Sequence, residues 1–421
     1  MQSDRREFLK LAAAVSLTGM LQRKAFATTV AKGQVVVVGG GFAGATVAKY
    51  LRKWSRGGID VVLVERNPEF ISCPLSNLVV GGSRNIGDLT FGYDRLASNY
   101  GIQLVRDEVT AIDPETRRLG LAHGELSYDR LVIAPGIDFM YRDLPMLESA
   151  EAQQKVPHAW KAGPQTVNLR AQLETMADGG VFAISIPPAP YRCPPGPYER
   201  ISQVAFYLRR HKPKSKVIVL DANSEIISKK GLFTRAWAEM YPNLVEYRPD
   251  SLVLSVDVDR RFAMTEFDTV KADVLNVIPP QRAGQVAQMA GVANIDQRWC
   301  AVDFLTYESK LAPNVHVIGD SVAAALPKSA HLANSQAKVC ANAMVSLMAG
   351  EAPDPRPVFA NTCYSFVSDK LAMHVANVYR YDTEKKTMLP TEGGGVSDRP
   401  SELEGNYAQY WAQNIWSDML T

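Results

Sequence analysis

Three kinds of segment are missing from this 421-residue sequence. It contains no C-x-x-C-H segment, so we predict no haem in this chain. After residue 27 it has no run of about 20 uninterrupted apolar residues, so we predict no membrane span. It also lacks a basic patch interleaved with aromatics, and its formal net charge is only +2, so nothing indicates nucleic-acid binding.

The composition is that of a globular protein with more than one core. Hydrophobic residues make up 46% of the chain and charged residues 21%. Single domains usually contain about 100 to 200 residues, so a chain of 421 is expected to form at least two. No internal repeat is evident beyond two segments with the pattern of a βαβ unit.

The N-terminal segment has the layout of a cleavable export signal. A twin arginine at Arg5 and Arg6 precedes an apolar run over residues 11–21, and an A-x-A sequence ends at Ala27. This order is typical of a bacterial twin-arginine signal, the alternative being an amphipathic N-terminal helix. We therefore predict a periplasmic protein, and because this route exports folded proteins it favours a tightly held cofactor.

The chain that follows begins with a βαβ pattern. A strand is predicted at residues 35–38, a glycine-rich turn at 39–44, a helix at 45–53 and a second strand at 60–65. A later strand ends in Ala-Pro-Gly at Gly136 and closes the segment. This order of elements predicts a dinucleotide-binding domain.

The glycine-rich turn has the spacing that a dinucleotide pyrophosphate requires. Gly39 permits the tight turn, Gly41 lets the backbone approach the phosphates, and Gly44 lets helix and strand pack closely. Glu65 follows about 20 residues later, where a carboxylate accepts hydrogen bonds from a ribose. A glycine turn without a ligand is the alternative. The predicted cofactor-binding residues of this segment are Gly39, Gly41, Phe42, Ala43, Gly44, Glu65, Arg66 and Gly136.

A second motif decides which dinucleotide is bound. The buried strand at residues 315–320 ends in Gly319-Asp320 and resembles the flavoprotein motif whose aspartate binds the ribityl chain. The alternative is a strand-end aspartate that caps the next helix. The helix predicted at 333–347 would direct its N-terminus at the flavin pyrimidine. We therefore predict FAD as the cofactor, with Gly319 and Asp320 among its ligands, and no metal.

A second βαβ unit lacks the glycine turn of the first. Strands are predicted at residues 181–186 and 216–221, separated by a helix at 202–210. The loop at 186–196 is rich in proline, which has no N–H for a pyrophosphate and fixes φ where glycine would be needed. NAD(P)H binding is therefore not expected, and the flavin needs another electron partner.

Five cysteines occur, an odd number for an exported protein. Cys300 and Cys340 lie in apolar stretches and are predicted to be buried thiols. Cys193 lies in the proline-rich loop, which we expect to be exposed, and Cys363 begins the C-terminal segment. Of the three pairings open to the four cysteines other than Cys73, Cys193 with Cys363 is favoured, and the periplasm permits it.

These motifs together resemble the flavoprotein subunit of flavocytochrome c sulfide dehydrogenase, a member of the glutathione-reductase-like superfamily. The resemblance runs through essentially all of the chain after the signal and is carried by residues 72–77, 191–200 and 361–365. It implies that FAD is covalently attached through Cys73 and that Cys193 and Cys363 form a redox-active disulfide beside it. It also implies that Glu199 handles protons near the flavin, with a solvated surface glutamate as the alternative.

The resemblance implies an α/β fold with two Rossmann-like domains and a C-terminal α+β domain. After a signal at residues 1–27, we expect an FAD-binding domain at 28–150 and 285–352, a second Rossmann-like domain without a nucleotide site at 151–284, and a C-terminal interface domain at 353–421. The expected reaction oxidises sulfide to sulfur or polysulfide, because HS⁻ can attack a disulfide without a dedicated base.

The electron acceptor implied by the resemblance is a separate c-type cytochrome subunit, with which the chain would form a heterodimer. The C-terminal aromatics Tyr407, Tyr410, Trp411 and Trp416 either form part of its docking surface or pack within their own domain. One alternative is a sulfide:quinone oxidoreductase, although Glu402, Glu404 and Asp418 dilute any apolar stripe that would bind a membrane. Another is a non-catalytic flavin redox partner of a sulfur-oxidation system.

Overall fold

The computed structural model describes residues 31–421, so the predicted export signal at residues 1–27 lies outside the described residues. Residues 31–421 form three sheets of four or more strands, and helices pack against each of them. The first two sheets are parallel and the third is antiparallel. This α/β architecture confirms the predicted fold class.

The first sheet has five parallel strands. In spatial order they are Val315–Val317, Arg130–Ile133, Gly33–Val38, Ile59–Val64 and Gln103–Val105. Val35, Val36 and Val37 are fully buried, as expected for a central strand covered on both faces. The helices Phe42–Trp54 and Ala330–Met348 pack against each other beside this sheet.

The second sheet has four parallel strands. In spatial order they are Val245–Arg248, Lys216–Asp221, Val181–Ile186 and Val274–Val277. The helices of this part of the chain are Pro164–Thr175, Gly196–His211 and Lys230–Met240. The two strands predicted here have the predicted bounds. The predicted helix at 202–210 begins earlier, at Gly196, because prolines at 195 and 197 are compatible with the start of a helix.

The third sheet is antiparallel and carries the C-terminal helix. Its strands are Val358–Phe366, Ala372–Asp382, Thr387–Pro390 and Gly395–Val396. The helix Glu402–Leu420 is capped by Ser401, whose hydroxyl accepts a hydrogen bond from the Glu404 amide. We call the three sheets, each with the helices that pack against it, the first, second and third units. Lys49 of the first unit donates to the carbonyl oxygens of Asp418 and Thr421 at 2.7 and 2.6 Å, which holds the C-terminal helix against the first unit.

Smaller elements connect the three sheets. The paired short strands are Phe70–Ile71 with Thr90–Phe91, Ile137–Phe139 with Gln281–Ala283, Val109–Asp113 with Arg118–Leu121 and Gly124–Ser127, and Ser255–Asp257 with Phe262–Met264 and Thr269–Lys271. The short helices are Ser76–Gly81, Asp94–Tyr100, Ala150–Lys155 and Gln285–Met289, and 3₁₀ turns lie at Ile86–Leu89, Tyr141–Asp143, Pro145–Leu147 and Gly319–Ser321. Within residues 31–421, no helix is both long and apolar enough to cross a bilayer.

Candidate active site

A cavity of about 660 Å³ lies where the three units meet. Its lining includes thirteen of the fourteen predicted site residues: Gly39, Gly41, Phe42, Ala43, Glu65, Arg66, Cys73, Gly136, Cys193, Glu199, Gly319, Asp320 and Cys363. The remaining one, Gly44, lies one residue further into the helix than Ala43 and has a packing role instead. The predicted residues therefore converge on one site, although they are spread over more than 300 positions of sequence.

The glycine-rich turn forms one end of the cavity. Gly39 has φ +100°, a conformation that only glycine adopts without strain. A Cβ on Gly44 would lie 1.7 Å from the Gly39 carbonyl oxygen, so the helix can approach the turn only without a side chain there. A Cβ on Gly41 would meet no protein atom within 4 Å, which leaves that face of the backbone open to a ligand. The conformation of Gly39 and the close packing at Gly44 agree with the roles expected for them, and the approach of a pyrophosphate to Gly41 stays a prediction.

Glu65 is held against this turn at the end of its strand. Its Oε2 accepts a hydrogen bond from the Gly40 amide at 2.7 Å, and its Oε1 accepts one from the Asn67 amide at 2.8 Å. The carboxylate therefore lies beside the glycine turn, where a ribose would be bound. Arg66 forms only an exposed ion pair with Glu108 at 3.2 Å, which contributes little stability.

Asp320 lies in a short 3₁₀ turn that lines the cavity next to Ala43, since a Cβ on Gly319 would lie 3.2 Å from the Ala43 Cβ. Its Oδ1 is buried and has no hydrogen-bond partner among residues 31–421. Burial raises the pKa of this carboxyl, and the positive charges of Arg192 and Lys328 partly oppose that rise. The helix-capping alternative is wrong, because the cap of helix Ala330–Met348 is Ser329. An unpaired buried carboxylate oxygen facing a cavity fits a hydroxyl-bearing ligand such as a ribityl chain.

Cys73 lies at the edge of the cavity in the segment just after the second strand. Its carbonyl oxygen accepts hydrogen bonds from the amide and hydroxyl of Ser76, at 3.0 and 2.7 Å. The preceding Ser72 accepts a hydrogen bond from the Trp416 indole at 3.0 Å, which links this segment to the C-terminal helix. The Cys73 thiol is therefore on a well-anchored turn beside the predicted flavin, and its covalent attachment remains a prediction.

Cys193 and Cys363 enter the same cavity from different units. Cys193 comes from the proline-rich loop after strand Val181–Ile186, and Cys363 from the first strand of the third sheet. Both are free thiols in this structure, and burial raises the pKa of each. The loop expected to be exposed is so only in part: Ala189 and Pro190 are exposed, whereas Cys193 is half-buried and its amide donates to the Lys328 carbonyl at 2.7 Å.

The other two cysteines are fully buried, as predicted. Cys300 and Cys340 have no exposed surface and lie in the main hydrophobic core. Burial raises the pKa of the Cys300 thiol to about 12, and it also raises that of Cys340. Such thiols are unreactive. The disulfide between Cys193 and Cys363 remains a prediction, supported by their common cavity.

Glu199 is buried near Cys193 and Cys363, so the alternative of a solvated surface glutamate is wrong. Its Oε1 accepts a hydrogen bond from the Phe366 amide and its Oε2 accepts one from Asn77 Nδ2, both at 2.8 Å. Burial raises the pKa of the Glu199 carboxyl, and the two hydrogen bonds oppose that rise. A carboxyl with a raised pKa is suited to hold and release a proton near neutral pH.

Two charged residues at this site were missed by sequence reasoning. The Arg200 guanidinium is 1% exposed and donates to Asn77 Oδ1 at 3.0 Å and to the Ala159 carbonyl at 2.6 Å. The Lys229 ammonium is also buried and donates to the Cys363 carbonyl at 3.0 Å. Neither stands out in the sequence, because a single Arg or Lys in a helix or loop normally faces solvent.

The second unit has an acid where a nucleotide-binding domain would hold a ribose. Asp221 ends strand Lys216–Asp221 and is fully buried. Its Oδ2 accepts hydrogen bonds from the hydroxyls of Tyr198 and Tyr247, at 2.7 and 2.9 Å, and its Oδ1 accepts one from Asn223. Protein side chains therefore take the hydrogen bonds that a ribose would require.

The fold and this cavity define a class, the flavin-dependent pyridine nucleotide-disulfide oxidoreductases. The family model described as pyridine nucleotide-disulphide oxidoreductase matches residues 33–163. A crystal structure of sulfide:quinone oxidoreductase from the hyperthermophilic bacterium Aquifex aeolicus is similar to the chain with a TM-score of 0.74 and 18% identity. It covers 92% of this chain and 91% of its own length, and at this identity it shows the fold alone.

The chain belongs to the flavocytochrome c sulfide dehydrogenase flavoprotein family. The model of that family's central region matches residues 166–279, and the model of its flavin-binding region matches residues 355–420. The flavoprotein chain of sulfide dehydrogenase (flavocytochrome c) from Chlorobaculum thiosulfatiphilum is 59% identical over 46 residues, which is 94% of that relative and 11% of this chain. The family resemblance is thereby confirmed.

A third match covers more of the chain at a lower sequence identity. A mitochondrial sulfide:quinone oxidoreductase from Dictyostelium discoideum is 25% identical over 328 residues, covering 74% of this chain and 70% of that protein. Together with the family models, these matches make the chain a flavin-dependent, sulfide-oxidising oxidoreductase that binds FAD.

Proposed function

We propose that this chain oxidises hydrosulfide through a Cys193–Cys363 disulfide and a covalently bound FAD, and passes electrons singly to a separate c-type cytochrome subunit in the periplasm. The observation that carries the proposal is the meeting of both cysteines, Glu199 and Cys73 in one cavity with the glycine-rich turn. These groups come from all three units. No purely structural role requires four ionisable or nucleophilic side chains at one ligand-sized cavity.

The residues that would hold FAD are already arranged for it. The open face at Gly41 and the start of helix Phe42–Trp54 suit the pyrophosphate, Glu65 suits the adenosine ribose, and the unpaired Asp320 suits the ribityl chain. Cys73 would supply the covalent attachment. When bound, FAD accepts an electron pair from the cysteines and releases electrons one at a time.

The cysteine pair would carry the sulfur chemistry. Hydrosulfide attacks one sulfur of the disulfide, which gives a cysteine persulfide and a cysteine thiolate. A second hydrosulfide attacks the outer sulfur of the persulfide. The cysteine leaves as a thiolate, and the inorganic product HS–SH or its anion HS–S⁻ is the first member of the polysulfides. The cysteines would then be reduced, and re-forming their disulfide would release two electrons that a bound FAD would accept. Glu199 holds or releases the accompanying proton from its buried position.

The proposed cytochrome partner is supported by the family and by the C-terminal helix. Tyr407 and Tyr410 are 51% and 63% exposed, which suits a docking surface rich in aromatics. Trp416 is buried and Trp411 is half-buried, so these two pack within the chain instead. The relative from Chlorobaculum thiosulfatiphilum is named as the flavoprotein chain of a flavocytochrome, which also favours this acceptor.

A quinone acceptor is the second candidate, because sulfide:quinone oxidoreductases match most of the chain in sequence and in fold. The two candidates differ in the acceptor that sulfide reduces. Anaerobic protein would be given sulfide with either a c-type cytochrome or decylubiquinone, and the reduction of each would be followed by absorbance. We expect cytochrome reduction, whereas reduction of the quinone alone would overturn the cytochrome proposal. A flavin that sulfide does not bleach would overturn both.

The covalent link has its own experiment. Acid-denatured wild-type protein should keep its flavin in the pellet, because a thioether survives denaturation, and the Cys73→Ser variant should release it to the supernatant. Cys363→Ser serves as the matched control, since it removes another thiol of the same cavity and should leave the flavin attached. Flavin in the wild-type supernatant would show that the cofactor is not covalent.

A further inference from the structure

The buried ammonium of Lys229 is bound by neutral groups. Its Nζ donates to the Cys363 carbonyl at 3.0 Å and to the Ser365 hydroxyl at 2.8 Å. Residues 31–421 contain 19 ion pairs, from Arg52–Asp60 to His374–Glu404, and Lys229 is in none of them. A buried charge is costly unless a charge of opposite sign lies close to it. The buried Lys229 ammonium therefore has no ion-pair partner within residues 31–421 and could stabilise an anion formed close to it.

Lys229 reaches this position from the second unit. It lies at the start of helix Lys230–Met240 with φ 56°, the left-handed region that a lysine seldom adopts. Its side chain extends to strand Val358–Phe366 of the third sheet, where Cys363 and Ser365 lie on the same face. The second unit, in which tyrosine hydroxyls bond to Asp221, thus contributes a positive charge to the cysteine site.

The groups that favour the charged form of Lys229 are those of the proposed reaction. Burial lowers the pKa of its ammonium to about 8, and the negative charges of Cys363, Glu199 and Cys193 oppose that shift, Cys363 most strongly. A disulfide between the two cysteines carries no charge. Opening the disulfide would therefore add a thiolate beside Lys229, in addition to the carboxyl of Glu199.

The two cysteines differ in their surroundings. At Cys363, Lys229 is the strongest influence opposing the rise of the thiol pKa, followed by Asn361 and Ser329. At Cys193, after burial, the strongest influences are the charges of Cys363 and Glu199, which raise the pKa further. A thiol with the lower pKa leaves faster in disulfide exchange. The hydrogen bond that holds the Lys229 ammonium at the Cys363 carbonyl therefore favours Cys363 as the leaving group.

We propose that Lys229 stabilises the thiolate of Cys363, so that hydrosulfide attacks Cys193 and Cys363 leaves. The proposal rests on the proposed function. In this step the bond between Cys193 Sγ and Cys363 Sγ breaks, and a bond forms between the hydrosulfide sulfur and Cys193 Sγ. The electron pair of the broken bond stays on Cys363, and the proton stays on the new persulfide. The disulfide is the oxidant, and the hydrosulfide sulfur is oxidised.

The first experiment measures the Cys363 thiol itself. Chemically reduced protein would be alkylated with iodoacetamide across a range of pH, and the rate at each cysteine would be read by peptide mass spectrometry. Lys229→Met should raise the apparent pKa of Cys363 by about 1 to 2 pH units, with a smaller change at Cys193. Lys230→Met is the matched control, because its ammonium is exposed and pairs with Glu225.

Other ionisable groups also face this pair. Glu199 and Cys193 face both Cys363 and Lys229, Tyr379 faces Cys363 and Glu404 faces Lys229. All remain in the variant, so a shift between wild type and Lys229→Met reports the lysine alone. Lys229→Arg, which keeps the charge, should restore most of the profile. An unchanged Cys363 profile in Lys229→Met would overturn the proposal.

The second experiment locates the first sulfur atom. Oxidised wild-type protein would receive one equivalent of sulfide without oxygen, be alkylated at once, and be digested. The added sulfur should be found on the peptide with Cys193, and its recovery on the peptide with Cys363 would overturn the proposal. If Lys229→Met does not fold, Lys229→Gln is measured instead. A wild-type flavin that sulfide does not bleach would count against the proposed function, whereas the alkylation profiles test Lys229 independently.

Discussion

Asn77 Nδ2 donates a hydrogen bond to Glu199 Oε2 at 2.8 Å, across an interval of 122 residues of sequence. The same amide accepts a hydrogen bond from Arg200 Nε at 3.0 Å through its Oδ1. Asn77 therefore lies between the buried carboxyl of Glu199 and the buried guanidinium of Arg200, and the two hydrogen bonds fix the direction of its amide group. Because Asn77 follows Cys73 by four residues, the segment proposed to carry the flavin is tied to the proposed proton-transfer residue.

Asn77→Ala should destabilise the protein by about 2 kcal/mol or more, because it leaves a buried carboxylate and a buried guanidinium each short of a hydrogen bond. The measurement is the midpoint of thermal unfolding in wild type and variant at the same flavin content. Asn99→Ala is the control, since Asn99 is exposed and should change the midpoint little. Equal losses in the two variants would show that the Asn77 network contributes nothing specific.

Glu199→Gln should change how stability depends on pH. Burial raises the pKa of Glu199, so the folded protein binds a proton there that the unfolded chain releases at about pH 4.3. Stability from this group is therefore present at low pH and is lost as pH rises from about 4.3 through the higher folded pKa. The variant lacks this loss. Its unfolding midpoint, measured against pH, should fall less than that of wild type over this window, and parallel curves would contradict the raised pKa.

The same substitution should slow flavin reduction by sulfide about 100-fold or more, because a positioned proton-transfer group typically contributes that much. Stopped-flow absorbance of the flavin under anaerobic conditions provides the rate. Glu225→Gln is a suitable control, since Glu225 is an exposed glutamate that pairs with Lys230. A rate within a factor of two of wild type would assign Glu199 a structural role only.

Gly41→Ala and Gly44→Ala should fail in different ways. A Cβ at Gly44 would lie 1.7 Å from the Gly39 carbonyl oxygen, so that variant should lose stability as well as flavin. A Cβ at Gly41 meets no protein atom within 4 Å and would occupy only the space left for a ligand. Gly41→Ala should therefore keep the unfolding midpoint of flavin-free protein and incorporate less FAD. Normal FAD incorporation by Gly41→Ala would show that the pyrophosphate does not approach there.

Much of this site could be predicted from sequence because its parts have local signatures. The turn around Gly39 and Gly41 and the strand before Asp320 each carry their chemistry within a few residues, so spacing alone reveals them. The role of Lys229 could not be predicted, since its partner Cys363 is 134 positions away and its neighbours resemble an ordinary surface loop. The burial of Glu199 was equally hidden, because it depends on Phe366 from a different sheet. Local patterns report the backbone that a cofactor needs, whereas contacts between units depend on tertiary packing.

NADH should leave the flavin oxidised, because protein side chains already bond the Asp221 carboxylate that would otherwise bind the adenosine ribose of NADH. The Asp221 carboxylate is fully buried and is bonded to the Tyr198 and Tyr247 hydroxyls and to Asn223. Opening that site would require breaking these bonds before a ribose could form its own, and the proline-rich loop at residues 186–196 offers few amides to a pyrophosphate. Anaerobic absorbance at the flavin band, with NADH in large excess and then with sulfide, tests this in one cuvette. We expect bleaching only after sulfide is added, and bleaching by NADH would mean that a nucleotide reaches the flavin by a route other than the Asp221 crevice.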